Sequence, residues 1–130
     1  MTGELILIVE DDENSRMLAR DVLQATGYRT AEAETAEEGL RLARDTHPDL
    51  ILMDIQLPGM SGLDALRHLR GDRATRDIPI MAVTASAMTH DRPRIMAAGF
   101  DGYQTKPISV KEFLEAVATL LARPRAKGAS

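Results

Sequence analysis

Four acidic residues follow the first apolar run of the chain without a break. The run LILIV, Leu5–Val9, leads directly into Glu10, Asp11, Asp12 and Glu13. Adjacent carboxylates repel one another, and each loses favourable hydration when it is buried. A hard cation such as Mg²⁺ would relieve both costs, because it prefers oxygen ligands, and so would a fully solvated turn. The acids taken alone favour the solvated turn, since exposed acids are far commoner than metal sites.

Other polar side chains come at the ends of later apolar runs. Asp54 ends the run LILM, Thr84 ends the run IMAV, and Lys106 follows the segment GYQT. Each has an ordinary alternative role: Asp54 in an Asx turn, Thr84 as a helix N-cap, and Lys106 as an exposed loop lysine. It is improbable that all of these polar residues would fall at strand ends by chance. Together they predict one shared site.

This combination of carboxylates, a hydroxyl and an ammonium suits phosphoryl chemistry. A bound Mg²⁺ would neutralise charge on a phosphoryl group, and Lys106 and Thr84 would contact its remaining oxygens. A carboxylate oxygen can also attack phosphorus and form an aspartyl-phosphate. Asp54 is the preferred nucleophile, because it stands alone at its strand end whereas Glu10 and Asp11 form a pair.

The elements that would position these residues alternate regularly along the chain. The predicted strands are Leu5–Val9, Tyr28–Ala33, Leu50–Met53, Ile80–Val83 and Gly102–Thr105, and amphipathic segments follow each of them. Short strand–helix units of this kind predict an α/β fold, a parallel sheet doubly wound with helices on both faces. In such a sheet the functional crevice lies at the carboxyl ends of the strands, where the polar residues above would meet.

Two helices have clear predicted faces. In the first helix, about residues 14–25, Leu18, Val22 and Leu23 are expected to face the core and Met17 to face solvent. Thr35, with Glu38 three residues later, predicts a capping box at the start of the second helix. The inward residues of the last helix are expected to be Phe113, Val117, Leu120 and Leu121.

Length, charge and composition are typical of a single globular domain and argue against several other classes of protein. The length of 130 residues fits one domain, which we expect over residues 1–122, followed by a basic flexible tail over 123–130. A net charge of −4 argues against general affinity for nucleic acid or anionic membranes. The absence of cysteine excludes disulfides and thiolate chemistry. We see no signal peptide and no apolar stretch near the roughly 20 residues of a membrane helix, so the expected location is the cytoplasm.

Four segments of the chain resemble the receiver domain of two-component response regulators. They are ILIVEDD, PDLILMDIQLPGMSGLDAL, IPIMAVTA and GYQTKPIS, and they extend from about Glu4 to Leu121. Details such as AVTA before Ala87 and Met88 are similar to a subgroup of single-domain regulators of cell division. The resemblance implies a flavodoxin-like fold with five helices and strand order 2-1-3-4-5. It also implies a signalling domain rather than an enzyme, one that assists its own phosphorylation and dephosphorylation.

The resemblance implies a role for each residue of the predicted site. Asp54 would be the phosphoacceptor, taking a phosphoryl group from a phosphohistidine of a histidine kinase or phosphotransfer protein. Glu10, Asp11, Asp54 and the backbone carbonyl of Gln56 would hold Mg²⁺, for which Mn²⁺ could substitute. Lys106 would pair with the acids or with the phosphoryl group. No other cofactor is implied.

The resemblance also implies a conformational switch. The Thr84 hydroxyl would move towards the phosphoryl oxygen, and the ring of Tyr103 would turn into the space that is left. Gln56 and Ser86 would flank the phosphoryl group and influence its lifetime, and a cis bond would precede Pro107.

Protein partners, rather than nucleic acid or membrane, follow from the same resemblance. The kinase or phosphotransfer protein would dock on the first helix around Met17. A downstream protein would bind the face formed by helix 4, strand 5 and helix 5, and the chain would be a monomer or weak dimer. Asp12 and Glu13 exceed the usual acidic pair, and we expect them to be solvated charges.

Three other functions compete with that of a stand-alone regulator. The chain could be a receiver cut from a hybrid histidine kinase or a longer regulator. A haloacid dehalogenase would need a D-x-D motif and a cap insertion, which the sequence EDD and the length of 130 residues do not supply. A nucleotide-binding flavodoxin-like module would need a glycine-rich phosphate loop after the first strand, which is missing.

Overall fold

The computed structural model describes residues 3–85, 91–106 and 108–122, apart from the side chain of Asp91. Its strands are β1 (Leu5–Val9), β2 (Arg29–Ala33), β3 (Leu50–Asp54), β4 (Ile80–Thr84) and β5 (Gly102–Thr105). Its helices are α1 (Glu13–Thr26), α2 (Ala36–Thr46), α3 (Gly62–Gly71), α4 (Asp91–Ala98) and α5 (Val110–Ala122). All strand pairs are parallel, in the order β2-β1-β3-β4-β5, which confirms the predicted fold class.

The sheet is covered on both faces, which explains the apolar runs of its three inner strands, β1, β3 and β4. Leu7 and Val9 of β1 pack on the side of α2, α3 and α4, whereas Ile6 and Ile8 pack on the side of α1 and α5. Every residue of β3 is buried. Central strands of a parallel sheet must be apolar on both faces, so they read as continuous apolar runs rather than alternating ones.

Side-chain caps fix where three helices begin. Asp12 accepts a hydrogen bond from the backbone N–H of Ser15 at 2.9 Å and so caps α1. Thr35 caps α2 as predicted, accepting from the N–H of Glu38 at 3.1 Å. The reciprocal bond of the predicted capping box is displaced by one residue, since the Glu38 carboxylate accepts from the N–H of Glu34 at 3.3 Å. Ser61 caps α3 in the same way.

The predicted inner face of α1 is wrong at one position. Ala19 and Leu23 are buried and Val22 packs against them, but Leu18 is 42% exposed. The small Ala19 faces the sheet, which turns Leu18 to the edge of the apolar stripe beside Met17. The inward residues of α5, by contrast, are confirmed: Phe113, Val117 and Leu120 are buried and Leu121 is half-buried against them.

Three expectations lie outside the described residues. These are the tail 123–130, the flanking role of Ser86 and the peptide bond before Pro107. Within the part of the chain that the structure describes, no helix is long and apolar enough to cross a membrane.

Candidate functional site

The carboxyl ends of β1 and β3 bring two acids side by side. Val9 pairs with Met53 in the sheet, so Glu10 and Asp54 leave their strands at the same level. Both carboxylates are almost fully removed from solvent, with Glu10 5% exposed and Asp54 4% exposed. Two buried carboxylates side by side repel each other and lose hydration, so a cation that contacts both of them stabilises their charged forms.

Lys106 supplies one such cation. Its Nζ lies 2.5 Å from Oε1 of Glu10 and 3.2 Å from Oδ2 of Asp54. The backbone N–H of Lys106 donates to the carbonyl of Thr84 at 2.8 Å, which holds the end of β5 against β4. Glu10, Asp54 and Lys106, which were predicted from three different strand ends, therefore form one hydrogen-bonded group.

Burial controls how this group titrates. Burial raises the pKa of Glu10 to about 7, although hydrogen bonds from Lys106 and from the backbone N–H of Asp12 lower it. Burial alone would lower the pKa of Lys106, but its hydrogen bond to Glu10 and the nearby charge of Asp54 outweigh this, and the net pKa is raised. The lysine therefore stays cationic while Glu10 changes its charge close to neutral pH.

Asp11 completes a set of oxygen donors that fits a divalent cation. One carboxylate oxygen each of Glu10, Asp11 and Asp54 lie within 4.8 Å of one another. With all groups ionised, these three carboxylates and the Lys106 ammonium leave two negative charges, which one divalent cation would neutralise. Hard oxygen donors with an exposed member, Asp11, suit Mg²⁺, which keeps several of its waters.

Two hydrogen bonds and one close backbone contact hold the loop after β3 beside Asp54. The backbone N–H of Gln56 donates to Oδ1 of Asp54 at 3.0 Å. The N–H of Gly62, the first residue of α3, donates to the carbonyl of Ile55 at 3.1 Å. A Cβ added at Gly62 would overlap the carbonyl oxygen of Asp54 and the Cα of Ile55. Only glycine therefore lets α3 begin this close to the end of β3.

Thr84 and Tyr103 lie on neighbouring strands and on the same face of the sheet. Thr84 is fully buried at the end of β4, and Tyr103 of β5 pairs in register with Ala82. The ring of Tyr103 is half-buried against the core on the side of α2, α3 and α4. The guanidinium carbon of Arg92, on α4, lies 5.5 Å from its ring centroid, within the range of a cation–π contact.

A cavity of about 180 Å³ opens beside the acids, between the sheet, α1 and the beginning of α5. Asp54 and Lys106 form part of its wall. Most of the remaining wall is apolar and includes Leu18 and Phe113. The exposed side chain of Leu18 therefore lies at the approach to the acidic site, which the helical periodicity alone did not indicate.

Two residues near the site have roles that were missing from the predicted site. Asp12 is exposed, as expected of a solvated charge, and it also caps α1, a role that an aspartate just before an amphipathic segment could have suggested. Arg16 donates from Nη1 to the carbonyl of Glu10 at 3.0 Å. Its position in the sequence carries no sign of this contact, because the contact depends on how α1 folds back over the turn.

Comparisons with known proteins agree on one family. A sequence model of the response regulator receiver domain matches residues 6–118. The chain is 48% identical over 116 residues to the polar-differentiation response regulator DivK of Brucella ovis, covering 89% of this chain and 94% of the relative. A CheY-like receiver domain protein from Methanospirillum hungatei superposes with a TM-score of 0.83 at 31% identity, covering 92% of this chain and 94% of that one.

A second solved structure bears on the metal. The receiver domain of a sensor histidine kinase from Pseudomonas aeruginosa, with a magnesium ion coordinated in its active site cleft, superposes with a TM-score of 0.86. The two chains are 31% identical, and the superposition covers 94% of this chain and 100% of that one.

Proposed function

Since this chain belongs to the response regulator receiver domain family, and so acts as a phosphoacceptor in two-component signalling, we propose that Asp54 is the residue that receives the phosphoryl group. The observation that carries the proposal is the ion pair of buried Asp54 with Lys106, within reach of the carboxylates of Glu10 and Asp11. Asp54 is the member of the group that ends a central strand alone.

The transfer would be a displacement at phosphorus. An oxygen of Asp54 attacks the phosphorus of a phosphohistidine, an O–P bond forms, and the P–N bond breaks with its electron pair left on the imidazole nitrogen. Lys106, already 3.2 Å from Asp54, donates to the phosphoryl oxygens as they arrive. The Thr84 hydroxyl, at the end of the next strand, contacts another of them. In this sense the domain assists its own phosphorylation and, with water as the attacking group, its dephosphorylation.

Glu10, Asp11, Asp54 and the carbonyl of Gln56 would hold Mg²⁺, with Mn²⁺ as a substitute that accepts the same oxygen ligands. When bound, the ion would neutralise charge on the phosphoryl oxygens. Glu10 and Asp54 are already fixed for this purpose, because each carboxylate accepts a backbone N–H bond from a residue two positions later.

Thr84 and Tyr103 would transmit the phosphorylated state to the face formed by α4, β5 and α5. Their shared face of the sheet supports this role, as does the Arg92 contact that links Tyr103 to α4. The chain has two tyrosines and no tryptophan, so Tyr28→Phe leaves Tyr103 as the fluorescent residue. We expect phosphorylation to change that fluorescence, and an equal change in a Thr84→Val variant would exclude Thr84 from the switch.

Two surfaces would bind protein partners. The phosphodonor protein, a histidine kinase or histidine phosphotransfer protein, would dock on α1, where Met17 and Leu18 are both exposed. A downstream protein would bind the α4, β5 and α5 face; Met96 of α4 and Val110 of α5 are exposed. Leu18→Glu should slow transfer from such a protein donor but not from a small phosphodonor, and equal rates from the protein donor would argue against docking on α1.

A DivK-like role in the cytoplasm, as a monomer or weak dimer, is the physiological setting that we propose. It is supported by the 48% identity to DivK, against 31% to the receiver domain of the sensor histidine kinase from P. aeruginosa. The output would then be a protein contact rather than binding to nucleic acid or membrane.

Intact-mass measurement after incubation with Mg²⁺ and acetyl phosphate tests the acceptor. The wild-type chain should gain one phosphoryl group, and Asp54→Ala should gain none. Asp45→Ala is the matched control, because Asp45 is an exposed aspartate of α2 that takes no part in the acidic site. A mass gain that survives in Asp54→Ala would place the nucleophile elsewhere.

A further inference from the structure

We propose that Arg16 is a positioning residue for the acidic pair, holding the turn between β1 and α1 in the conformation that binds a divalent cation. The inference rests on the proposed function, because the cation concerned is Mg²⁺ at Glu10 and Asp11. It concerns a residue outside the set of ligands and outside the residues that touch the phosphoryl group.

The guanidinium of Arg16 joins three parts of the chain. Nη1 donates to the carbonyl oxygen of Glu10 at 3.0 Å, and Nε donates to Oε1 of Glu32, on β2, at 3.2 Å. Nη2 lies 3.7 Å from a carboxylate oxygen of Glu34. The side chain is only 12% exposed, so the guanidinium is held between the turn and β2 rather than moving freely in solvent.

The carbonyl of Glu10 is the group through which this contact reaches Asp11. The peptide between Glu10 and Asp11 is planar, so fixing its carbonyl oxygen fixes the orientation of the whole unit that carries the Cα of Asp11. The N–H of Glu10 is already bound to the carbonyl of Ala33 at 3.0 Å. Arg16 therefore completes the restraint of the backbone at the point where β1 ends.

Asp11 needs such an external restraint more than the other acids do. Glu10 and Asp54 are buried, and both are bound by Lys106. The carboxylate of Asp11 is exposed and has no hydrogen bond or ion pair among the described residues. Its position relative to Glu10 is consequently set by the backbone of the turn, and the turn is held by Arg16.

Arg20, one helical turn further along α1, provides a natural comparison. Its guanidinium lies 3.7 Å from Oε2 of the same Glu32 and 3.1 Å from Asp21. It is 31% exposed, and no contact joins it to the turn between β1 and α1 in the described structure. Both arginines thus connect α1 to β2, but Arg16 alone of the two contacts Glu10.

Titration of Mg²⁺ by isothermal calorimetry into the wild-type chain, Arg16→Met and Arg20→Met tests the inference. Loss of groups that orient metal ligands commonly weakens metal binding by about 10- to 100-fold. We expect the dissociation constant for Mg²⁺ to rise about tenfold in Arg16→Met and to stay unchanged in Arg20→Met. Phosphorylation by acetyl phosphate should need a correspondingly higher Mg²⁺ concentration in Arg16→Met, with its rate at saturating Mg²⁺ largely retained.

Two further measurements separate positioning from general stability. Thermal unfolding in EDTA should show that both methionine variants are folded at the titration temperature, with the larger loss in Arg16→Met, because it also gives up the bond to the Glu10 carbonyl and the ion pair with Glu34. Arg16→Lys keeps the charge but cannot bind the Glu10 carbonyl and Glu32 together, so its dissociation constant should be intermediate. This variant also provides the test if Arg16→Met does not fold.

The outcomes separate this inference from the proposed function. Wild-type affinity for Mg²⁺ in both Arg16 variants would overturn the positioning role and leave the proposed function intact. An equal loss of affinity in Arg20→Met would overturn it as well. Loss of any ion pair between α1 and β2 would then explain the weaker Mg²⁺ binding, without the contact to Glu10. Failure of the wild-type chain to bind Mg²⁺ would overturn the proposed function, and the inference with it.

Discussion

At the scale of single residues, Glu10 is the group that connects the acidic site to pH. Burial raises its pKa to about 7 in the folded chain, from an ordinary value of 4.5. A proton and a metal ion compete for the same carboxylate oxygens. We therefore expect the affinity for Mg²⁺ to fall as the pH drops through 7, approaching tenfold per pH unit. Calorimetric titration at pH 6 and pH 8 measures this, and equal affinities at the two values would contradict it.

The same shift has a consequence for stability in the absence of Mg²⁺. Because the folded chain holds a proton on Glu10 more tightly than the unfolded chain does, this group's contribution to stability is complete below about pH 4.5. It is lost as the pH rises through about 7. Glu10→Gln is the matched variant, since it cannot ionise. In EDTA, the unfolding temperature of the wild-type chain should fall relative to that of Glu10→Gln between pH 5 and pH 8.

At the scale of elements, the approach of α3 to β3 depends on one glycine. Gly62 and Gly71 are the first and last residues of the same helix, and they differ in their surroundings. A Cβ at Gly62 would overlap backbone atoms of Asp54 and Ile55, whereas a Cβ at Gly71 would meet nothing within 4 Å.

Gly62→Ala should therefore displace the end of β3 or the beginning of α3 and slow phosphorylation of Asp54. Gly71→Ala should instead stabilise the chain by about 0.5–1 kcal/mol, because alanine is the better helix former. Acetyl phosphate kinetics and thermal unfolding of the two variants make the comparison. A Gly62→Ala variant with wild-type kinetics and stability would show that the adjoining backbone moves aside at no cost.

The sequence predicts the strands and their polar ends better than it predicts helix faces. Leu50–Asp54 could be recognised because a strand buried on both faces is apolar throughout and stops at its first charge. The face of α1 could not, since Leu18 and Ala19 fit neighbouring positions of the same apolar stripe. Which of them turns inward depends on how closely the helix approaches the sheet.

The same limit applies to contacts made across several elements. Gly59 lies in the loop that follows Asp54 and Gly62 begins α3, and the sequence alone does not show which of them has the stricter steric requirement. Gly59 has a positive φ of 75° in open space, while Gly62 is required by the close approach of α3. The reach of Arg16 to Glu10 is equally a property of the folded turn, and no local pattern predicts it.

At the scale of the whole molecule, the repulsion between the clustered acids is expected to lower stability when no metal ion is bound. Glu10, Asp11 and Asp54 bring three carboxylates together at one edge of the sheet, with Lys106 as their cation. A chain of this size is expected to unfold as one cooperative unit, so an event at that edge is measurable as a change in the global unfolding temperature. Mg²⁺ should stabilise the folded chain by about 2.7 kcal/mol at 100 times its dissociation constant, or roughly 10 °C.

Neutralising Asp11 should raise the stability of the metal-free chain and reduce its stabilisation by Mg²⁺. In EDTA, Asp11→Asn should unfold at a higher temperature than the wild-type chain, because it removes one of the repelling charges from the cluster. The same variant should lose most of the stabilisation by Mg²⁺, because the amide is a weaker ligand than the carboxylate. Glu13→Gln is the matched control, since Glu13 is a nearby acid in the first turn of α1 that lies outside the cluster of three. Thermal unfolding of the three proteins with and without Mg²⁺ tests this. If Mg²⁺ raises the unfolding temperature of Asp11→Asn as much as that of Glu13→Gln, Asp11 is not a metal ligand. Glu10 and Asp54 would then be the acids that hold the ion.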